Sequence, residues 1–126
     1  MSKDYNKWMK GFMDSWMNLE GEKTVEWFAS DVKYYESPAG EPCADLKEVV
    51  ALWAVVPQNQ RDISYSYEIV CSNSEVCIYN WRMKRVLITS EKECYQSIDG
   101  IFEVSLNEVG KCTFFKQWRH TLNLTV

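Results

Sequence analysis

The stretch CYQSIDGIFEVSLNEVGKCTFFKQWRH, residues 94–120, decides the fold of this chain. Its first half alternates polar side chains with apolar ones, at Ile98, Phe102, Val104 and Leu106. The run Asn-Glu-Val-Gly at residues 107–110 has the composition of a turn, and a β-prone run follows over residues 113–118. The pattern predicts two long antiparallel strands joined by a hairpin turn, on which a curved sheet is built.

Three helices are predicted before this hairpin. Residues 4–19 form an amphipathic helix, because apolar side chains recur every three or four residues, at Trp8, Met9, Phe12, Met13, Trp16 and Leu19. Gly21 is expected to stop it, and residues 22–28 form a short second helix. A third runs from Asp45, which with Glu48 has capping-box spacing, to about Val56, where Pro57 ends it.

Strands are predicted at residues 31–36, 63–71 and 76–86, in addition to the two of the hairpin. The first stops at Ser37-Pro38, because proline cannot donate a hydrogen bond to a neighbouring strand. We therefore expect an α+β fold, in which a curved antiparallel sheet wraps around three N-terminal helices. The space between sheet and helices is a cone where a ligand would fit.

Length and charge limit the possible functions. A chain of 126 residues fits one domain, 1–126. Its net charge of −4 argues against a nucleic-acid partner, and its one basic cluster, Arg82, Lys84 and Arg85, is expected to be a solvated edge. No stretch approaches the ~18 apolar residues of a membrane span or has the pattern of a secretion signal, so we expect a soluble, cytoplasmic protein without a membrane partner.

The chemistry-bearing residues do not form a recognised metal or cofactor motif. The five cysteines lack any Cys-x-x-Cys pair, and the single histidine lacks a second one at ligand spacing. No glycine-rich phosphate loop, dinucleotide fingerprint or Gly-x-Ser-x-Gly elbow is present. We therefore expect reduced thiols, no metal and no cofactor.

A resemblance to a known superfamily is carried by motifs along nearly the whole chain: Phe28-Ala29-Ser30-Asp31-Val32, Tyr35-Glu36-Ser37-Pro38, Gln60-Arg61-Asp62, Ile98-Asp99-Gly100-Ile101-Phe102 and Asn107-Glu108-Val109-Gly110-Lys111. In this order and spacing they resemble the nuclear transport factor 2-like superfamily, and more narrowly its SnoaL-like branch, which is similar to ketosteroid isomerases and polyketide cyclases. The resemblance implies a cone-shaped α+β barrel and a homodimer formed through the outer face of the sheet.

The isomerase resemblance implies three site positions, and two of them lack the required group. The tyrosine of the oxyanion hole corresponds to Phe12. The protonated aspartic acid of the same oxyanion hole corresponds to Phe102. The catalytic base corresponds to Glu36 or to Ser37, depending on the direction of counting. Ketosteroid isomerisation is therefore not expected, because the oxyanion donors are missing.

The cyclase resemblance implies an acid/base group near the end of the last strand, and His120 stands there. Histidine moves protons near neutral pH, so acid/base chemistry is possible. Asp99 is a further candidate, although it lies on the opposite face from Phe102 unless a bulge at Gly100 shifts the register. The predicted catalytic residues are therefore His120, assisted by Glu36 or Asp99.

The aromatic residues suggest the ligand. The chain has six Trp, seven Tyr and five Phe, and these bulky rings either line the cone or fill it. The residues predicted to contact a ligand are Trp8, Phe12, Trp16, Tyr34, Trp53, Trp81, Phe102 and Trp118. The leading hypothesis is a small apolar or aromatic ligand with cofactor-free acid/base chemistry of isomerase, cyclase or hydrolase type. A non-catalytic binding module and a dimerisation domain with a filled cone are the alternatives.

Overall fold

A computed structural model describes residues 3–43 and 45–124. The helices are α1 (Tyr5–Met17), α2 (Gly21–Thr24), α3 (Leu46–Ala54) and α4 (Val56–Asn59), with a 3₁₀ turn at Val25–Trp27. The strands are β1 (Phe28–Tyr35), β2 (Gln60–Ser72), β3 (Cys77–Ile88), β4 (Glu93–Leu106) and β5 (Cys112–Asn123). The predicted α+β class is confirmed, and the sheet is curved and open.

The five strands form one sheet in the order β1-β5-β4-β3-β2. Strands β2 to β5 pair antiparallel, whereas β1 pairs parallel with β5. The four strands predicted to be antiparallel, β2 to β5, are confirmed, and the parallel pairing of β1 with β5 adds what the sequence did not specify. The reason is topological: β1 ends at the open end of the cone, where β2 begins, and the three reversals from β2 to β5 leave β5 running in the direction of β1.

The hairpin predicted from residues 94–120 is confirmed. Ile98 pairs with Thr121 and Val104 with Phe115 across β4 and β5. In the turn, the side-chain oxygen of Asn107 accepts hydrogen bonds from the backbone N–H groups of residues 109 and 111, at 3.1 and 2.9 Å. Gly110 has a φ of +87°, a left-handed conformation that glycine adopts without steric cost. The turn chemistry therefore sets the register of both strands.

The N-terminal helices differ from the prediction in detail. The α1 cap is Asp4, whose carboxylate accepts from Lys7 N at 2.9 Å. Gly21 does not stop α1: Leu19 takes the positive φ of 60°, and Gly21 begins α2. A Cβ on Gly21 would lie 2.3 Å from the Trp53 carbonyl oxygen, so glycine there permits close helix packing. The predicted second helix also ends early, because Phe28 already belongs to β1.

The predicted cap of the third helix is confirmed, and its end is corrected. The Asp45 carboxylate accepts from Glu48 N at 3.1 Å at the start of α3. Pro57 does not simply end α3; it lies in the first turn of α4, where a missing N–H costs little. No helix in residues 3–43 or 45–124 has the length and hydropathy needed to cross a membrane.

The deep part of the cone is filled by aromatic rings. Phe12, on α1, is fully buried and lies at its centre. Its ring centroid is 5.0 to 6.1 Å from six others, those of Trp8, Trp16, Phe28, Trp53, Phe102 and Phe115. Most of these contacts are edge-to-face, the geometry that aromatic quadrupoles favour. The inner ends of α1, β1, β4 and β5 are therefore held together by one contiguous cluster.

Replacing Gly100 with alanine tests this packing. The added Cβ would lie 2.6 Å from the Trp118 carbonyl oxygen and 2.7 Å from Trp81 Nε1, and the backbone oxygen cannot move away cheaply. We expect Gly100→Ala to lower the free energy of unfolding by about 1–3 kcal/mol in chemical denaturation. Gly40→Ala is the matched control, because its Cβ meets only the flexible Ser37 side chain, at 3.2 Å. Equal stability of the two variants would contradict the described packing.

Candidate functional site

A cavity of about 270 Å³ opens at the mouth of the cone, above the aromatic cluster. It lies between the open end of the sheet and helices α3 and α4. Its apolar wall comprises Phe12, Trp16, Leu52, Trp53, Val55, Val56, Leu87 and Phe115. Its polar wall comprises Tyr34, Glu36, Asn59, Gln60, Arg85, Gln117 and Arg119. We call this space the mouth cavity.

The structure brings five of the predicted site residues into the mouth cavity: Phe12, Trp16, Tyr34, Glu36 and Trp53. The predicted ligand contacts Trp8, Trp81 and Phe102 instead lie deeper, each at most 1% exposed, where they fill the core. Trp118 is half-buried on the opposite face of β5, where Lys116 Nζ lies 5.2 Å from its ring. The ligand contacts predicted at these four positions are not supported by the geometry.

Glu36 places a carboxyl group in the cavity, as predicted for the end of the first strand. The residue as a whole is exposed, because it follows β1 at the rim, but its carboxyl group faces the buried side chain of Gln117. Gln117 Nε2 donates to the Glu36 carbonyl oxygen at 3.0 Å and to Oε1 at 3.3 Å. Ser37, the alternative position, does not line the cavity.

Desolvation raises the pKa of the Glu36 carboxyl above its ordinary value. The neighbouring Tyr34 hydroxyl, the charges of Arg119 and Arg85, and the Gln117 amide act in the opposite direction, and desolvation outweighs them. A carboxyl group with a raised pKa is better placed to exchange protons near neutral pH than a solvated one. Glu36 is thus the acid/base candidate that the geometry favours.

Hydrogen bonds between side chains fix the aromatic wall of the cavity. Trp53 Nε1 donates to the Tyr34 hydroxyl oxygen at 3.2 Å, and Trp16 Nε1 donates to Gln60 Oε1 at 2.9 Å. Tyr34 is 1% exposed, and desolvation followed by the charge of Glu36 raises its pKa well above the ordinary value. Its hydroxyl therefore stays protonated at neutral pH and can only act as a hydrogen-bonding group. The two hydrogen bonds therefore tie Trp16 and Trp53 to the polar side of the cavity.

Two arginines that the sequence reasoning did not select also line the cavity. Arg85 was expected at a solvated edge, but it is only 7% exposed and faces inward, on the same side of β3 as Trp81 and Met83. Arg119 is exposed at the rim and faces inward with Phe115 and Gln117 of β5. Side chains alternate between the two faces of a strand, so counting by two from a buried aromatic residue would have found both.

His120 and Asp99, which were predicted as catalytic residues, lie outside the mouth cavity. They pair with each other across β4 and β5 on the outer face of the sheet, and both are exposed. No bulge interrupts the register at Gly100. Asp99 instead accepts from Asn80 Nδ2 at 2.8 Å and lies 3.5 Å from Arg82 Nε. His120 follows Arg119 directly on β5, and successive side chains point to opposite faces of the sheet. Arg119 therefore reaches the cavity and His120 does not.

The charged side chains that line the mouth cavity are those of Glu36, Arg85 and Arg119. In residues 3–43 and 45–124, no three His, Cys, Asp or Glu side chains converge in a way that could hold a metal ion. Within the mouth cavity the only carboxyl group is that of Glu36. What the cavity offers is one desolvated carboxyl group, two guanidinium groups and an aromatic wall.

Comparison with known proteins identifies the fold. No family model and no curated protein matches the sequence. Among solved structures, the chain is similar to SalBIII, an epoxide hydrolase/cyclase-like enzyme with a role in pyran ring formation in polyether salinomycin. The TM-score is 0.78 at 7% identity, over 91% of this chain and 89% of that one.

Two further similar structures come from Novosphingobium aromaticivorans. One is a proposed scytalone dehydratase, with a TM-score of 0.71 at 11% identity over 96% of this chain and 85% of that one. The other is a proposed aromatic ring hydroxylase, with a TM-score of 0.67 at 10% identity over 94% and 89%. At such low identity these similarities establish the fold, and the chemistry has to be argued from the cavity.

The raised pKa of Glu36 predicts that the stability difference between the wild type and a Glu36→Gln variant depends on pH. A carboxyl whose pKa is raised by folding favours the folded state below its unfolded pKa, and this advantage is lost as the pH rises through the folded pKa. We therefore expect Glu36→Gln to raise the melting temperature at neutral pH, where it removes a desolvated charge, and to have little effect at about pH 4.

The matched control is Glu103→Gln, on the outer face of β4, whose carboxyl lies outside the cavity. Differential scanning calorimetry at both pH values measures the difference. A Glu36→Gln variant that is less stable than the wild type at neutral pH would show that the carboxylate is not penalised by desolvation.

Proposed function

We propose that this chain, which has the nuclear transport factor 2-like fold, binds a small apolar or aromatic carbonyl compound in the mouth cavity and transfers protons on it through Glu36, without a cofactor. The observation that carries the proposal is the desolvated carboxyl of Glu36, which shares an apolar cavity with the guanidinium groups of Arg85 and Arg119.

Cavity size and lining support a small, flat ligand. A volume of about 270 Å³ is below the ~300–1,000 Å³ that is usual for drug-sized ligands. The rings of Trp16 and Trp53 meet at right angles, with centroids 5.1 Å apart, and offer both a face and an edge to a planar molecule. A compound of one or two rings, or a short branched chain, fits these limits better than a steroid.

The chemistry follows from the charges around the ligand. The Glu36 carboxylate takes a proton from the carbon next to the carbonyl group, and the electron pair of the broken C–H bond moves onto the carbonyl oxygen. The positive guanidinium groups of Arg119 and Arg85 stabilise the resulting enolate oxygen. Protonated Glu36 then returns the proton to another carbon of the enolate. In the ring-closing alternative, the enolate carbon attacks a second carbonyl carbon of the same molecule, the π electron pair of that carbonyl moves onto its oxygen, and this oxygen takes the proton from Glu36.

This arrangement differs from the ketosteroid isomerase pattern. The positions of that enzyme's oxyanion donors hold Phe12 and Phe102, both fully buried in the aromatic cluster. Here the positive groups come from β3 and β5 instead, through Arg85 and Arg119. The proposed reaction therefore uses Glu36, one of the two positions that the resemblance implies for the base, together with different anion stabilisers.

Hydrogen exchange tests the proposed proton transfer. A thermal-shift screen of small aromatic ketones, cyclic enones and lactones first identifies compounds that stabilise the protein. In D₂O, the wild type should then exchange the proton next to the carbonyl of a bound compound, as followed by NMR. Glu36→Gln should lower the exchange rate by ~10²-fold or more, because general base catalysis contributes about 10²–10⁴-fold.

The controls for this experiment are the two residues of the outer face. His120→Ala and Asp99→Asn should exchange at the wild-type rate, because both side chains lie outside the mouth cavity. Exchange that survives in Glu36→Gln but is lost in His120→Ala would refute the assignment of the base.

Non-catalytic binding is the alternative function, and one contact favours it. Gln117 donates a hydrogen bond to the Glu36 carboxyl. This bond opposes the rise in the pKa of Glu36 that desolvation causes, and it holds the carboxyl group against the cavity wall. A compound that stabilises the protein without any hydrogen exchange in the wild type would support this alternative.

We also propose a homodimer formed through the outer face of the sheet. Half-buried aromatic side chains cluster there: the rings of Tyr35 and Phe114 are 5.6 Å apart, and Lys116 Nζ lies 5.2 Å from the rings of Tyr35 and Trp118. Aromatic side chains flanked by polar ones are typical of protein interfaces. A second copy of this chain would cover these rings.

Sedimentation velocity tests the dimer. The wild type should sediment as a dimer and Trp118→Glu as a monomer, because the substitution would bury a charge at the interface. Val109→Glu, which changes a residue of the hairpin turn that is 80% exposed, should remain dimeric. A wild type that stays monomeric at high concentration would refute the dimer and leave the cavity proposal untouched.

A further inference from the structure

The most unusual residue of the mouth cavity is Arg85, a buried cation without a carboxylate partner. Only 7% of the residue is exposed. Its Nε donates to Gln96 Oε1 at 2.9 Å, and within residues 3–43 and 45–124 neither terminal nitrogen has a protein hydrogen-bond partner or a carboxylate within 4 Å. The free donors of a guanidinium group that lines the cavity therefore face the space that a ligand would occupy.

The surroundings of Arg85 do not compensate its charge. Desolvation lowers its pKa to about 10, and the like charge of Arg119 acts in the same direction; Glu36 opposes both. The group still remains protonated at neutral pH. A buried charge without a partner costs stability that can be recovered when an opposite charge arrives. The two arginines and one glutamate leave the cavity with an excess of one positive charge.

We propose that Arg85, together with Arg119, binds the carboxylate of the ligand, so that the compounds recognised are small apolar or aromatic carboxylic acids, whose carboxylate oxygens take the place of the carbonyl oxygen in the proposed proton transfer. This inference deepens the proposed function, since it rests on the same cavity and names the chemical class of its ligand. A carboxylate matches the two parallel N–H donors of a guanidinium group. It also supplies the single negative charge that balances the cavity.

The charge of the cavity and its apolar wall both argue against a phosphate as the bound anion. A phosphate dianion would exceed the excess charge, and the part of the wall supplied by α3 and α4 consists mainly of Leu52, Trp53, Val55 and Val56. These side chains are suited to a hydrocarbon body that extends away from the arginines. With about 270 Å³ available, that body is limited to roughly the size of one or two rings.

Isothermal titration calorimetry with matched probes tests the inference. The probes are benzoate, cyclohexanecarboxylate and 2-naphthoate, each compared with its primary amide, which keeps the shape and removes the charge. For the wild type at pH 7, we expect at least one acid to bind about 30-fold or more tightly than its amide, since a desolvated charge pair is worth that much. This comparison needs no variant and therefore does not depend on the folding of one.

Variants then assign the effect to Arg85. Arg85→Gln keeps a donor for Gln96 and should weaken acid binding by about 30-fold or more, and amide binding by a much smaller factor because the amide carries no charge. Arg119→Gln should weaken it by a smaller factor, because Arg119 is exposed and its interaction is screened. Arg82→Gln, on the outer face of the same strand as Arg85, is the matched control and should bind as the wild type does.

The outcomes separate this inference from the proposed catalysis. Glu36→Gln should bind the acid at least as tightly as the wild type, because it removes a like charge, even though it fails in the hydrogen-exchange assay. Acid binding by a wild type that exchanges no ketone, enone or lactone of the hydrogen-exchange screen supports the carboxylate site and rejects the catalytic role of Glu36. Equal binding of acids and amides, no binding of any acid, or an Arg85→Gln variant that binds as Arg82→Gln does, would overturn the carboxylate site.

Discussion

The packing of α1 against the inside of the sheet, through the ring of Phe12, is the interaction on which the remaining structure depends. One side chain contacts rings from three further elements, β1, α3 and the β4–β5 hairpin. Because these rings fill the narrow part of the cone, space remains only at its wide end. The position and the small volume of the mouth cavity are therefore consequences of how the aromatic residues pack.

Two charged groups of the cavity lie in surroundings that disfavour their charged forms. Glu36 and Arg85 are both shifted in pKa by desolvation, in the directions that disfavour their charged forms. Neither forms an ion pair within 4 Å in the described part of the chain. Charged groups retained at a cost to stability are typical of binding and catalytic sites.

The alternation of side chains along β5 separates two surfaces with different chemistry. Phe115, Gln117 and Arg119 face the cone, whereas Trp118 and His120 face outward. The inner face thus supplies the cavity with a hydrogen-bond donor and a cation, and the outer face supplies rings for a partner copy. A shift of one residue in the register of this strand would exchange the two surfaces, so the Asn107–Gly110 turn, which fixes the register, also fixes the site.

The sequence by itself determined the α+β class, the final hairpin and the cap at Asp45, because each depends on local periodicity or turn chemistry. The order and spacing of its motifs carried the resemblance to the superfamily. The sequence also selected Glu36, through its place after the first strand. Tertiary structure alone decided that β1 pairs parallel with β5, since that pairing joins segments distant in sequence.

Tertiary structure likewise decided which predicted residues reach a ligand. Trp8, Trp81 and Phe102 are large aromatic residues of the kind that line ligand cavities. The packing of α1 against the sheet buries them in the core instead. His120 has a side chain suited to acid/base catalysis, yet its position on the strand places it on the outer face. Arg85 was expected at the surface, yet it is buried inside the cone. Residue type is a local property, whereas the face of a curved sheet that encloses a cavity is set by contacts between distant segments.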